Sequence, residues 1–396
     1  MQTKIITEDV SAAADIIKSG GIVAVPTETV YGLAVNCFNE KSVQRVYEIK
    51  GREKNKALSI LVSGKDAIDS LCKNVPKLAF FLADCFWPGP LTMILDSNDN
   101  IPDIVKAGGK TVGLRCPEQE QTLKLLQIMD LPLAAPSANP SGKKSPLSAE
   151  DVLKYFDGKI DAVIDGGACE LGLESTILDL SKTPYIILRR GAIAENELNL
   201  ALCASLTIIG ITGGTGSGKT TALDTVEKMG GLVIDSDEVY HTLLRESGPM
   251  RAELSEHFPG VSDTKELGKI VFNDKDALAT LNSITHRYIG EEIMRKLLDW
   301  ALNGGELAAI DAIALVEGGI GNYCKATVAI TADTDIRIQR LIDREGISRE
   351  YARLRIEAQK PDEYYIEVCD YALENNGTRE EFSEKCRVLF ENIIGR

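Results

Sequence analysis

The stretch Leu206-Thr207-Ile208-Ile209-Gly210-Ile211-Thr212-Gly213-Gly214-Thr215-Gly216-Ser217-Gly218-Lys219-Thr220-Thr221 decides the fold of the second half of this 396-residue chain. Residues 206–211 read as a buried strand, and a helix is predicted from about 219 to 229. Between them, residues 213–220 satisfy the spacing G-x-x-x-x-G-K-[ST]. Glycines let the backbone curl so that successive N–H groups face one anion. The helix that follows turns its N-terminus toward the same anion. Gly214, Gly216, Ser217 and Gly218 would line the cradle, with Thr221 in the first helical turn. Lys219 can reach the β- and γ-phosphates of a nucleotide, and Thr220 can offer an oxygen to Mg²⁺. A strand before the loop and a helix after it set this motif apart from a chance glycine turn.

Working outward, residues 232–234 form a second short strand, and Asp235 and Asp237 follow it at i and i+2. In a doubly wound sheet that end points into the ligand crevice. Asp235, with Thr220, could hold Mg²⁺ through ATP, and Asp237 could accept the proton of an attacking hydroxyl. The competing reading is an Asp N-cap and a surface charge on the next helix. Asp311 ends another apolar strand, as a second-layer magnesium partner or a structural cap. Helical patterns over 236–245, 264–271, 282–303, 334–343, 348–359 and 379–393 alternate with apolar strands at 307–310 and 327–330. That alternation predicts a mostly parallel sheet covered on both faces. Arg337, Arg340, Arg344, Arg349, Arg353 and Arg355 crowd one region. Phosphoryl transfer needs arginines on a mobile lid; one or two of the six would act, with Arg344, beside the turn at Gly346, as the first choice.

The first half alternates as well. Helices are predicted at 11–18, 41–49, 76–85 and 119–129, and strands at 22–25, 57–62, 91–95, 111–114 and 133–135. This is an α/β or α+β domain around a mixed sheet. Residues 191–205 are the seam, and 196–205 read as a short structured connector, since they lack the Pro or Gly/Ser content of a flexible linker.

Composition narrows the function classes. Hydrophobic residues are 44% and charged residues 26%, the balance of a globular protein rather than a disordered or collagen-like one. Asp and Glu number 59 against 44 Lys and Arg, a formal charge of −15. So acidic a chain is not a general nucleic-acid coat, and stable tRNA binding is not expected. The nine cysteines form no CxxC pair and only three histidines are present, which predicts reduced structural thiols and no structural zinc. The start lacks the pattern of a signal peptide and no apolar run approaches a membrane span, so a cytoplasmic location is expected.

The first half has no histidine, which excludes a His-based triad. It has Thr, Ser, Lys and Arg at strand ends instead. Thr27 follows a buried strand within Pro26-Thr27-Glu28-Thr29-Val30-Tyr31-Gly32; Lys50, Arg52 and Lys56 follow a helix; Arg115 ends a strand; Ser137 and Asn139 share a loop; Ser175 and Arg189 lie further on. Such a set gives cations for a triphosphate and hydroxyls for a small polar ligand. Ordinary turn and cap chemistry is the alternative.

Both halves resemble known families. The run GITGGTGSGKTTALDTVEKMGGLVIDSDEVYH, then FNDKDALATLNSITH, the Asp311 strand, RLIDREGIS, Gln359, Asp370 and ENNG resemble dephospho-CoA kinase (the CoaE family). The resemblance implies a P-loop kinase with a parallel sheet and a helical lid over 206–396. It implies ATP and magnesium at Lys219 and Thr220, Asp237 as the base for a ribose 3′-hydroxyl, and Arg344 as a lid arginine. Three departures fall where acceptor contacts are expected: Asp263-Thr264 for the usual Asp-Arg, His286-Arg287 for His-Pro, and Ile313-Ala314-Leu315-Val316-Glu317 for a Pro-Leu-Leu-Phe-Glu run. They leave open a different acceptor or an ATP-sensing role.

In the first half, GGIVAVPTETVYGLA, KGR at 50–52, FWPGPLT, VGLRCP, APSANPSG, LESTILDL and LRRGAI resemble, in order, the threonylcarbamoyl-AMP synthase family (the Sua5/YrdC/TsaC group). That resemblance implies a YrdC-like twisted α/β sheet over 1–195 with a cationic groove. The family makes L-threonylcarbamoyladenylate and pyrophosphate from L-threonine, bicarbonate and ATP, for modification of adenosine 37 in tRNA. Its product goes to the tRNA threonylcarbamoyl transferase machinery. Thr27, Ser175 and Arg115 would hold threonine; Lys50, Arg52, Lys56, Ser137, Asn139 and Arg189 would hold ATP, with Lys50 and Arg52 also catalytic through charge stabilisation. Mg²⁺ would accompany ATP, and no permanently bound cofactor is expected. Arg190 stands where the family more often has Pro. An RNA- or nucleotide-binding module without synthesis is the alternative for this half.

Overall fold

The computed structural model describes residues 2–260, 264–312, 315 and 319–395. They form two compact units, Met1–Leu202 and Cys203–Arg396. Residues 196–204 of the segment expected as a connector lie in an α-helix, Glu195–Ala204, with Leu198 and Leu202 buried.

In the first unit the strands are β1 (Lys4–Ile6), β2 (Val23–Val25), β3 (Gly32–Asn36), β4 (Ser59–Leu61), β5 (Leu91–Asp96), β6 (Thr111–Arg115), β7 (Leu133–Ala134), β8 (Ala162–Ile164), β9 (Thr176–Asp179) and β10 (Ile186–Arg189). They make one mixed sheet in the order β1-β8-β2-β3-β7-β4-β6-β5-β9-β10. β2 and β8 are buried throughout, which is why they read as unbroken apolar runs. The sequence pattern leaves 32–36 unassigned, because Gly-Leu-Ala-Val-Asn shows no alternation. Pairing with β2 and β7 on either side makes it a strand. The helix Ser11–Lys18 turns Ala13, Ala14 and Ile17 inward. They join Val23, Val25, Leu125, Leu126 and Ile164 in a core against the sheet.

The second unit has β11 (Thr207–Thr212), β12 (Leu232–Asp235), β13 (Leu307–Asp311), β14 (Ala326–Thr331) and β15 (Tyr371–Glu374). All pair in parallel, in the order β12-β13-β11-β14-β15. The strand before the glycine loop is therefore central. The helix Arg379–Ile394 starts at a capping box, Thr378 with Glu381. It lays Phe382, Cys386, Phe390 and Ile393 on Ile209, Ile211 and Val328. Each fully buried phenylalanine contributes about 1.5–3 kcal/mol.

The helix expected at 282–303 begins earlier. Asp274 caps the backbone N–H groups of Asp276 and Ala277 and starts one helix, Lys275–Leu302. Two further helices, Gly248–His257 and Asp362–Val368, and the edge strand β15 were not read from the pattern. No helix among the described residues is long and apolar enough to cross a membrane. All nine cysteines are free, and burial pushes the thiols of Cys37 and Cys324 up to about 12. Asp263, Ile313, Ala314, Val316 and Glu317 lie outside the described residues, as does the side chain of Thr264.

Candidate functional site

In the first unit, strand ends converge on a cavity of about 260 Å³ lined by Thr27, Arg52, Thr92, Arg115, Ser137, Glu174, Ser175 and Arg189, among others. Arg115 is the last residue of β6 and Arg189 the last of β10, while Ser175 stands immediately before β9. Gly191 makes this convergence possible, since a Cβ there would lie 2.3 Å from the Glu174 carbonyl oxygen. Arg189 then reaches back. It donates from Nε to the Ser175 carbonyl at 2.8 Å and from Nη2 to Ser175 Oγ at 3.0 Å, and it pairs with Glu174. Ser175 Oγ also shares a hydrogen bond of 2.8 Å with Thr92 Oγ1. Thr27 Oγ1 donates to the Val30 carbonyl at 2.6 Å and accepts from the Val30 N–H, so its hydroxyl shapes the turn.

Arg115 is held from two sides. Its Nη2 lies 2.7 Å from Glu28 Oε1, with both side chains under a tenth exposed, and its Nε donates to the Gly89 carbonyl at 3.3 Å.

Lys50 behaves differently from the expectation. It ends the helix Glu40–Lys50 and is 3% exposed. Its ammonium donates to the carbonyls of Ser137 and, at 2.6 Å, of Asn139. Burial, aided by nearby Arg52, pushes its pKa down to about 7. Asn139 is likewise engaged within its own loop, with Nδ2 donating to the Lys143 carbonyl at 2.6 Å and Oδ1 accepting from Ser137 Oγ at 2.6 Å. Lys56 is exposed beside Glu53. Thr27, Arg52, Arg115, Ser137, Ser175 and Arg189 thus reach the cavity, whereas Lys50, Lys56 and Asn139 are not in its lining. Sequence reasoning left Glu28, Thr92 and Glu174 without roles, although each sits inside a quoted motif.

In the second unit the loop after β11 borders a cavity of about 590 Å³, lined by Gly214, Gly216, Gly218, Lys219, Thr220, Asp237, Asp311, Arg344 and Arg355, among others. The loop is shaped by crowding. Gly213 has φ +140°, and a Cβ there would sit 2.2 Å from the Ile330 carbonyl oxygen. Gly218 has φ +107° at the N-terminus of the helix Lys219–Lys228, which begins with Lys219, Thr220 and Thr221.

The loop's carbonyls bond elsewhere. Lys219 Nζ donates to Gly213 O at 3.1 Å, and Arg337 Nε to Thr215 O at 2.9 Å. Arg340 Nη1 reaches Gly216 O and Ser217 O, and Asn375 Nδ2 donates to Ser217 O at 2.8 Å. Gln359 Oε1 accepts the Thr215 N–H at 2.7 Å. These carbonyls, and the N–H groups of Thr215 and Ser217, are thus bonded within the protein, so an anion would have to be met by other N–H groups of the loop and the helix start. Ser217 is buried, and its Oγ has no hydrogen-bond partner.

Asp237 lines this cavity. Asp235 instead caps the helix Ser236–Glu246, accepting the N–H groups of Asp237 and Glu238 at 2.8 and 3.2 Å, and it borders a neighbouring cavity. The capping alternative accounts for its Oδ1 atom. Arg344 is exposed and pairs with Glu345 at 2.5 Å, and Arg355 pairs with the same carboxylate. Arg337 and Arg340 brace the loop, which the helical spacing alone did not foretell.

Asp311 Oδ1 is sealed from solvent and has no hydrogen-bond partner among the described residues. Burial pushes this carboxyl up to about 6, against the pull of Lys219 and with the repulsion of Asp235 and Asp237. Unfolded, the group ionises near 3.8; folded, it keeps its proton to about 6. Stability therefore falls as pH rises between those values and stays lower above them. At pH 7.5 Asp311→Asn should stabilise the unit by up to about 3 kcal/mol, raising its melting temperature by several degrees. An unchanged or lower melting temperature would refute this.

Each unit thus carries its own cavity, one floored by arginine and hydroxyl groups and one beside a glycine loop with a facing carboxylate. Residues 15–191 match the Sua5/YciO/YrdC family model, described as telomere recombination, and residues 207–381 match that of dephospho-CoA kinase. Over 186 residues, 47% of this chain, the first half is 44% identical to a threonylcarbamoyl-AMP synthase of Pyrococcus abyssi. The chain covers 55% of that protein and spans about half the length of the first curated relatives it matches. It is 42% identical to a putative threonylcarbamoyl-AMP synthase of Methanocaldococcus jannaschii, covering 46% of this chain and 85% of that one. The second half is 33% identical to a dephospho-CoA kinase of Corynebacterium glutamicum, covering 48% of this chain and 98% of the kinase. The chain belongs to the Sua5/YrdC threonylcarbamoyl-AMP synthase family through its first half and to the CoaE dephospho-CoA kinase family through its second.

Proposed function

We propose that the first unit condenses L-threonine, bicarbonate and ATP to L-threonylcarbamoyladenylate, and that the second phosphorylates the ribose 3′-hydroxyl of dephospho-CoA. In the first reaction the threonine nitrogen bonds to the carbon of bicarbonate with loss of water, and an oxygen of the carbamate so formed attacks the α-phosphorus as pyrophosphate leaves. The observation that supports this is the cavity floor, where the Arg115 guanidinium can take the threonine carboxylate and Ser175 and Thr92 its polar groups. Arg52 and Arg189 are the cations at the same cavity for the nucleotide. Lys50 and Asn139 act one step back, by fixing the loop that carries Ser137. Alignment and charge stabilisation carry the rate, with no covalent nucleophile. The adenylate would feed threonylcarbamoylation of adenosine 37 in tRNA, and the free thiols suit a cytoplasmic protein.

For the second unit, the shared cavity of Lys219, Thr220, Asp237 and Asp311 supports phosphoryl transfer. Asp237 would take the proton of the attacking hydroxyl, Lys219 would steady the β/γ-phosphates, and Arg344, which lines the cavity, would face the transferred group. The sealed, unpartnered Asp311 Oδ1 near Lys219, with the Thr220 hydroxyl, is a hard-oxygen set that fits Mg²⁺. The ion would neutralise charge on the nucleotide phosphates.

The test is product formation. The purified chain with Mg-ATP and dephospho-CoA should yield CoA by mass spectrometry, and with threonine and bicarbonate it should yield the adenylate. CoA absent beside a normal adenylate yield would replace the acceptor, and the reverse would reduce the first unit to a binding module.

Lys50 adds a pH signature. Near pH 8 its amine is mostly neutral, and a polyanion bound nearby favours the ammonium. Nucleotide binding to the first unit should therefore take up a proton. Calorimetry of a Lys219→Ala chain in two buffers of different ionisation enthalpy should read an uptake that Lys50→Met removes. Buffer-independent heats would refute it.

A further inference from the structure

We infer that Glu28 is a positioning residue for threonine selection, acting through Arg115 without lining the cavity itself. The inference rests on the threonine reading of the first unit. Glu28 follows Thr27 directly, yet its side chain turns under the floor and is 3% exposed. Its two oxygens have separate tasks. Oε2 accepts the backbone N–H of Glu118 at 3.1 Å, which fixes the carboxylate to the segment after β6. Oε1 lies 2.7 Å from Arg115 Nη2. Neither of those two atoms is aligned for a hydrogen bond, and both are sealed from water, so the contact is an ionic one.

Arg115 has a second restraint from its Nε to the Gly89 carbonyl. The two restraints engage Nε and Nη2 and leave Nη1 as the terminal donor for a carboxylate in the cavity that Arg115 lines. A guanidinium fixed in plane before binding gives up little rotamer freedom on binding. A carboxylate of ligand size recognised through one fixed nitrogen is sensitive to small errors in that nitrogen's place. Glu28 supplies the fixed point.

A purely structural ion pair would behave differently. Its loss would loosen the floor as a whole and weaken threonine and ATP alike. Loss of positioning would weaken threonine alone.

The experiment measures threonine binding by equilibrium dialysis, ATP binding by calorimetry, and adenylate synthesis, for the full chain and for Glu28→Gln and Glu28→Asp. With Glu28→Gln, threonine Kd and KM should rise about tenfold to hundredfold. ATP affinity and kcat should stay within about twofold. Glu28→Asp, which keeps the charge, should recover part of the threonine affinity and serves if the Gln variant fails to fold. Parallel losses for threonine and ATP, no change for either ligand, or an Asp variant as weak for threonine as the Gln one would overturn the assignment. Wild-type chain that binds threonine but makes no adenylate would overturn the synthesis reading alone, with dialysis still deciding the role of Glu28. Wild-type chain that binds no threonine would overturn both.

Discussion

Arg115→Ala should destabilise the first unit by about 3–5 kcal/mol, the usual result of removing one partner from a buried ion pair. The Glu28 carboxylate would stay under the cavity floor with the Glu118 N–H as its remaining polar contact. For a unit near 200 residues this lowers the melting temperature by about 10 °C. Threonine affinity should vanish in the same variant. The two effects can be separated. Arg115→Met with Glu28→Leu removes both charges, and well-packed apolar pairs often replace buried ion pairs without loss. That double variant should melt near wild type and still bind no threonine. An Arg115→Ala chain that melts with the wild type would show that water reaches Glu28 and that the pair carries little energy.

Lys219→Ala should lower phosphoryl transfer about a hundredfold to a thousandfold, the range for removing one fixed electrostatic contact to developing charge. A second effect compounds the first. The Lys219 ammonium pulls the Asp311 carboxyl down against its burial. Without it, Asp311 keeps its proton to a higher pH and is less ready to face a cation. The residual activity should therefore rise with pH over a range shifted upward from the wild-type profile. A rate within tenfold of wild type, or a profile that does not move, would remove Lys219 from the centre of the site.

The legible parts of this chain were those set by local spacing. Residues 206–229 announced a strand, a glycine loop and a helix in register, and the structure has β11 and the helix Lys219–Lys228 on either side of that loop. The parallel sheet followed from apolar strands alternating with helices. What stayed hidden depends on contacts distant in sequence. Lys50 looks like a phosphate ligand until the carbonyl of Ser137, 87 residues away, claims its ammonium. Glu28 looks like a motif letter until the fold places Arg115 against it. Asp235 is the opposite case. Its capping of Glu238 was a local alternative open to sequence reading, and only the geometry shows that the cap is made. Strand β15 was missed because an edge strand with alternate residues exposed carries a weak apolar signal.

The braces on the glycine loop also make one body of the loop and the helices that follow β14. Arg337 and Arg340 fasten the helix Thr334–Glu345 to the loop, so Arg344 rides on a stator. On the far side, Gln359 holds the Thr215 N–H, and Asp362 is tied back to Arg337 at 2.9 Å. The chain between is moored at both ends, with left-handed Gly346 as a pivot at one of them. The helix Arg349–Glu357 rests Ala352 and Ile356 on Ile338 and Leu341 and is tied to the helix Thr334–Glu345 by the pairs Arg349–Asp335, at 2.5 Å, and Arg355–Glu345.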